Sequence, residues 1–128
     1  LYWAREQCVQ LRDIMLELAD VPQADINAAL TPALQESFLG IMRSGELKQL
    51  DLEHRIVRLQ EIKRLRRQRR AELLGQIGSG LVTAPDATRL LHIVGLFEDS
   101  AKHILHIAEV IYPEPEPEVQ VFAPAAVG

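Results

Sequence analysis

The sequence predicts an all-α protein that folds as an up-and-down antiparallel bundle of three to four helices. Apolar residues recur at steps of three and four residues through most of the chain, and prolines and glycines divide it into segments of helical length. The connections between these segments are short, so successive helices are expected to lie side by side. With 128 residues, of which 48% are hydrophobic, the chain has enough apolar surface for one core.

The first predicted helix covers about residues 2–20 and is amphipathic. Its apolar seam is formed by Leu1, Ala4, Cys8, Leu11, Met15 and Leu18. Such a seam packs against another helix in coiled-coil fashion, and a thiol on it is expected to be a buried structural group. Pro22 ends or kinks this helix because proline lacks the N–H and clashes with the preceding turn.

A second helix is predicted over about 25–44, and two starting points are open. Asp25 could cap a helix that begins at Ile26, whereas Thr31 followed by Pro32 is the cap and first-position pair that helices favour. With either start, one side of the helix carries Leu30, Leu34, Phe38, Ile41 and Met42.

The third predicted helix is the longest and covers about 46–77. Its apolar stripe consists of Leu52, Ile56, Leu59, Ile62, Leu73 and Ile77. Glycines 75, 78 and 80 indicate a stop and a turn, after which Thr83, Pro85 and Asp86 are typical of a new helix start.

The fourth predicted helix covers about 85–112 and has one broad apolar face. That face contains Ile93, Phe97, Ala101, Ile104, Ala108 and Ile111. The opposite face contains His92, Asp99, His103 and His106, which are expected to contact solvent. Residues 1–112 therefore form the predicted bundle domain, and the Pro/Glu-rich stretch 113–128 is expected to be an extended or disordered tail.

Composition narrows the function classes. The net charge of −4 gives the whole chain no bias toward nucleic acid, and one cysteine excludes an internal disulfide and favours a reducing compartment. No nucleotide-binding, hydrolase or zinc-protease motif occurs, so we expect neither an enzyme nor a cofactor. A start at Leu1 without an initiator methionine is typical of a piece of a longer polypeptide. Trp3 near that start is either a packing residue or the interface end of a preceding membrane span.

Two groups of side chains are candidates for a site. Glu98, His103 and His106 are weak candidates for metal ligands, but they lie on different flanks of the last helix, and Glu98 is spaced for a surface ion pair with Lys102. No metal is therefore expected. The densest charge feature is the arginine run of the third helix, which consists of Lys63, Arg64, Arg66, Arg67, Arg69 and Arg70. Contacts to a partner or an anion are expected at Arg66, Arg67, Arg69 and Arg70.

The last helix also carries a family resemblance. The stretch 96–109 resembles the closing helix of PhoU-like domains, with agreement at Glu98, His103, Ile107, Ala108 and Glu109. The long charged helix before it and the glycine-containing turn are similar too, so the resemblance covers about residues 25–112. It implies a three-helix PhoU unit with an extra leading helix, as in the cytoplasmic C-terminal region of bacterial sodium/phosphate symporters.

The resemblance implies a non-enzymatic regulatory domain of a phosphate transport system. Its partner would be the membrane part of the same polypeptide or a phosphate transporter at the cytoplasmic face of the inner membrane, with a homodimer along the first helix as an open alternative. The family often binds metal through a glutamate and an aspartate four residues apart; here these positions hold Glu98 and Lys102. Two alternatives are a metal-binding regulator, with Asp51 and Glu53 as further ligands, and a helical adaptor that binds an anionic partner through the arginine run.

Overall fold

The computed structural model of the chain describes residues 2–43 and 52–111, and over these residues its secondary structure is entirely α-helical. The helices are α1 (Tyr2–Ala19), α2 (Gln23–Ala29), α3 (Pro32–Met42), α4 (Leu52–Gly78) and α5 (Ala84–Ile111). The predicted all-α fold class is confirmed. The predicted tail 113–128 and residues 46–51 of the predicted third helix lie outside the described residues.

Helix α5 is the central element, because it packs against each of α1, α2, α3 and α4, while α3 also contacts α4. Burying one aliphatic side chain contributes about 1.5–3 kcal/mol, so the apolar positions of α5 connect the bundle energetically. The core between α5 and its neighbours includes Leu34 and Ile41 of α3, Ile62 and Leu73 of α4, and Val94, Ala101 and Leu105 of α5.

The predicted second helix is two helices rather than one. Leu30 is extended between them, and the hydroxyl of Thr31 accepts a hydrogen bond of 3.3 Å from the backbone N–H of Leu34. Pro32 is the first residue of α3. A continuous helix is excluded here because the proline ring would clash with the carbonyl four residues before it. The predicted start at Thr31 and Pro32 is therefore confirmed for α3. The alternative start is wrong, because α2 begins at Gln23 after Pro22 and Asp25 lies within its first turn instead of capping it.

The connection between α4 and α5 follows the predicted stop and start. Gly80 has a positive φ of 78° and donates its N–H to the carbonyl of Ile77 at 3.1 Å, while Leu81 donates to Gln76 at 2.9 Å. These two bonds form a Schellman motif, in which glycine is favoured at the left-handed position. Thr83 then caps α5 by accepting a hydrogen bond of 3.3 Å from the N–H of Asp86.

The predicted apolar seam of α1 is wrong by about one residue. Leu11 and Leu18 do face the bundle, but Cys8 is exposed and 40% of Met15 is exposed; Leu1 and the Ala4 side chain lie outside what the structure describes. The side of α1 that is shielded from solvent contains Gln7, Leu11, Ile14 and Leu18, followed by Val21. Because Gln7 bonds to His103 and Glu17 bonds to His92, α1 runs antiparallel to α5.

Smaller differences occur on the other helices. In α4, Ile62 and Leu73 are buried as predicted, but Ile56 is 46% exposed and its neighbour Arg55 is 3% exposed. The stripe position at Ile56 is therefore not part of the core, and the Leu52 side chain lies outside what the structure describes. Met42 and Ile111, both predicted to be apolar contact residues, lie at the ends of α3 and α5 and are exposed.

Candidate functional site

Glu98 of α5 is buried, and its carboxylate pairs with the guanidinium of Arg66 on α4. Only 6% of the Glu98 side chain is exposed, compared with 49% of the Arg66 side chain. The sequence predicted a surface ion pair between Glu98 and Lys102, and this prediction is wrong. A partner 32 residues away displaces the local one because Glu98 points toward α4.

A glycine provides the space for this pairing. A Cβ atom at Gly95, one turn before Glu98, would lie 3.7 Å from Nη2 of Arg66. The guanidinium of Arg66 therefore lies close over the backbone of α5. A longer side chain at this position would occupy the volume that the arginine fills.

The predicted arginine cluster is divided between structural and surface roles. Arg69 donates from Nη2 to the carbonyl of Ala28 at 2.7 Å and from Nε to the carbonyl of Ala29 at 3.1 Å. These are the last carbonyls of α2, which a helix leaves without internal partners. Arg69 thus caps a neighbouring helix, and only 12% of its side chain is exposed.

Arg64 belongs to the outer surface of α4 and pairs with Glu61 at 2.6 Å, one turn earlier. Its hydrogen bond lowers the pKa of Glu61 and raises the pKa of Arg64 itself. Both side chains of this pair are exposed to solvent. It neutralises Arg64 without involving another helix.

The remaining basic residues of the run border a groove between α4 and α5 with a volume of about 440 Å³. Its lining consists of Lys63, Arg66, Arg67, Arg70, Leu91 and Glu98. Three of the four predicted contact arginines therefore share one groove, and Arg69 does not. Four cations beside one carboxylate leave three positive charges in excess. Guanidinium groups hold oxyanions through paired hydrogen bonds, so a groove with this lining attracts anions.

The histidines of α5 differ in their surroundings. His92 is exposed and its Nε2 lies 2.8 Å from a carboxylate oxygen of Glu17. His103 and His106 are half-buried against α1, which contradicts the prediction that the histidine face contacts solvent. Nδ1 of His103 donates to Oε1 of Gln7 at 2.5 Å, and the ring of His106 lies 5.7 Å from that of Trp3. Trp3 thus contacts α5, although 46% of the residue is exposed.

Burial lowers the pKa of His103. Lys102 and His106 lower it further, and Asp99 opposes them. The neutral imidazole is therefore the form that the α1–α5 contact favours.

The weak metal candidates are not brought together. Glu98 faces Arg66 on α4, whereas His103 and His106 face Gln7 on α1. Within residues 2–43 and 52–111, no three histidine, cysteine, aspartate or glutamate side chains are grouped as metal ligands would be. Asp51, a further candidate ligand, lies outside the described residues.

The sequence did not predict several residues of these contacts, among them Gln7, Glu17 and Gly95. Gln7 accepts hydrogen bonds from His103 and His106, but a lone glutamine on an amphipathic helix carries no signal that identifies its partner. Leu91 lines the basic groove, and the sequence made no prediction for it. Lys63 was recognisable as part of the basic run, and the groove depends on the same 3.6-residue period that groups it with Arg66, Arg67 and Arg70.

Comparison of the chain with protein-family models, with curated protein sequences and with solved structures gave no match. Among the described helices, none combines the length and the apolar character that crossing a membrane requires.

Proposed function

We propose that the chain is a non-enzymatic, PhoU-like regulatory domain of a sodium/phosphate transport system. In this proposal the helices form an up-and-down bundle at the cytoplasmic face of the inner membrane, and the domain acts through helix–helix contacts with the transporter. The all-α fold and the resemblance of stretch 96–109 to the closing PhoU helix support it.

The pairing of Glu98 with Arg66 is the observation that carries the proposal. Glu98 matches the glutamate through which PhoU-like domains often hold metal, and here its carboxylate is engaged by an arginine. A positive group next to the carboxylate repels a metal cation. The ion pair therefore favours a structural bundle over the alternative of a metal-binding regulator.

Exposed apolar side chains on the outer side of α1 support the proposed contacts. Leu16 is 62% exposed and Met15 is 40% exposed, and Cys8 lies on the surface about two helical turns earlier. A helix that presents such residues is suited to packing against another helix, in a transporter or in a second copy of the chain.

The test is co-purification and transport. We expect the chain, co-expressed with a bacterial sodium/phosphate symporter, to co-purify with it and to change sodium-dependent uptake of radiolabelled phosphate into membrane vesicles. Leu16→Asp should abolish both effects, because a charge on the contact face would have to be desolvated. Ala24→Asp, which adds the same charge at an exposed position of α2, is the matched control.

Two results would contradict the proposal. Unchanged phosphate uptake together with absence of the symporter from the purified sample would remove the transport role. Stoichiometric iron, zinc or manganese in the purified chain, measured by elemental analysis, would favour the metal-binding alternative instead.

A further inference from the structure

Three of the four cations of the α4–α5 groove form no ion pair with a described residue, and the fourth, Arg66, pairs with Glu98. Arg64 pairs with Glu61, Arg69 with Glu72, and Arg89 with Asp25 and Asp86. Within the part of the chain that the structure describes, Lys63, Arg67 and Arg70 form no ion pair; Nε of Arg67 donates only to the carbonyl of Lys63, at 3.4 Å. No described carboxylate neutralises these three side chains, so their positive charges are available to a ligand.

The fourth cation is held in place. Arg66 is fixed between the buried carboxylate of Glu98 and the bare backbone at Gly95, and half of its side chain remains accessible. An anchored guanidinium loses less conformational entropy on binding than a mobile one, so it is pre-organised for an anion. Leu91 closes one side of the groove with an apolar surface.

The extent of the basic surface limits the size of the ligand. Residues 63 to 70 span two helical turns, or about 10 Å along the axis at about 1.5 Å per residue. Beyond them along α4, Glu61 and Glu72 are paired with Arg64 and Arg69, so these positions add no net positive charge. A long polyanion would gain little from this surface, whereas a compact one would remain beside the four cations.

We propose that the α4–α5 groove is a binding site for a small anion that carries at least two phosphate groups. Arg66, Arg67 and Arg70 donate to its phosphate oxygens, Lys63 adds a further positive charge, and any apolar part of the ligand lies against Leu91. The groove's volume of about 440 Å³ is in the range of small-molecule sites. This site is independent of the proposed role in transport, since it requires no membrane partner.

Isothermal titration calorimetry with tripolyphosphate, pyrophosphate and orthophosphate tests the proposal on the purified full chain. We expect saturable binding of tripolyphosphate and pyrophosphate, much weaker binding of orthophosphate, and loss of affinity at high NaCl because salt screens the charges. The groove variant Arg67→Gln/Arg70→Gln should bind tripolyphosphate about tenfold or more weakly, as expected when charge-assisted hydrogen bonds are removed.

The matched control is Arg12→Gln/Arg64→Gln, which removes two positive charges from exposed arginines outside the groove. Its affinity for tripolyphosphate should stay within about twofold of the unmodified chain. Equal losses in both double variants would overturn the proposal, because binding would then follow net charge alone. Circular dichroism of each variant separates a lost site from a lost fold.

Two further outcomes would also overturn it. Orthophosphate binding as tightly as tripolyphosphate would contradict a ligand with two phosphate groups. Tighter binding of a single-stranded oligonucleotide than of tripolyphosphate, with the same loss in the groove variant, would assign the groove to nucleic acid. In contrast, failure of the transport experiment would leave this phosphate binding unchanged, so the two proposals are tested separately.

Discussion

Arg66 of α4 and Glu98 of α5 form an ion pair whose two members differ sharply in exposure. The carboxylate is buried and the arginine is half exposed. Removal of the arginine therefore leaves a buried charge without its partner, while removal of the carboxylate leaves a cation that can turn toward water.

We expect Arg66→Gln to lower the free energy of unfolding by about 2–3 kcal/mol and Glu98→Gln by about 1 kcal/mol. Urea denaturation followed by circular dichroism measures both values. The double variant should cost less than the sum of the single changes, because the residues are coupled. Equal costs for the single variants, or additive ones, would show that the pair does not hold α4 to α5 in this way.

Two glycines near the end of α4 should respond in opposite directions to alanine. Gly75 lies within α4, and outside its own stretch of helix no described atom lies within 4 Å of the place that an alanine Cβ would take. Gly75→Ala should therefore raise the free energy of unfolding by about 0.5–1 kcal/mol. Gly80 has a φ of 78°, so Gly80→Ala should lower it by about 1–2 kcal/mol. Urea denaturation of the two single variants measures both changes, and each variant is the control for the other. If both substitutions were stabilising, the Schellman assignment would be wrong.

The sequence predicted the helices better than the faces they bury. Helix ends followed from local chemistry, as at Thr31, Pro32 and Gly80, because capping and proline geometry act within a few residues. The buried face of α1 could not be predicted in this way, since the predicted stripe and the observed stripe both contain Leu11 and Leu18. The choice between them depends on α5, which offers histidines that a polar residue such as Gln7 satisfies.

In the candidate site, too, local features could be predicted from the sequence and contacts between helices could not. The basic run identified four arginines, of which Arg66, Arg67 and Arg70 line the groove, whereas Arg69 caps α2 instead. The spacing of Glu98 and Lys102 is equally regular, yet Glu98 pairs with Arg66 from another helix. A pair separated by 32 residues is determined by packing, so local spacing could not predict it.

The exposure of Cys8 gives a direct chemical test of which side of α1 faces the bundle. We expect Cys8 in the native protein to react with Ellman's reagent nearly as fast as in the urea-unfolded chain, because no packing shields the thiol. The control is Cys8→Ser combined with Ala101→Cys, which places a thiol at a position that is 2% exposed. Strong native-state protection of Cys8 would restore the seam that the sequence predicted.

The contact between His103 and Gln7 predicts how stability depends on pH. Burial lowers the pKa of His103 in the folded chain, whereas in the unfolded chain the pKa is near its ordinary value of about 6.5. Between these two values the unfolded chain binds more protons. The stabilising effect of neutral His103 is therefore complete above about pH 6.5 and is lost as the pH falls through the lowered pKa of the folded chain.

Urea denaturation at a series of pH values from 7.5 to 5 measures this loss. We expect the free energy of unfolding to fall less steeply with decreasing pH in His103→Gln than in the unmodified chain, because glutamine does not titrate. His92→Gln is the matched control, since His92 is exposed and lies on the same helix. If the free energy of unfolding of His103→Gln depended on pH as strongly as that of the unmodified chain, protonation of His103 would not be the cause of the lost stability.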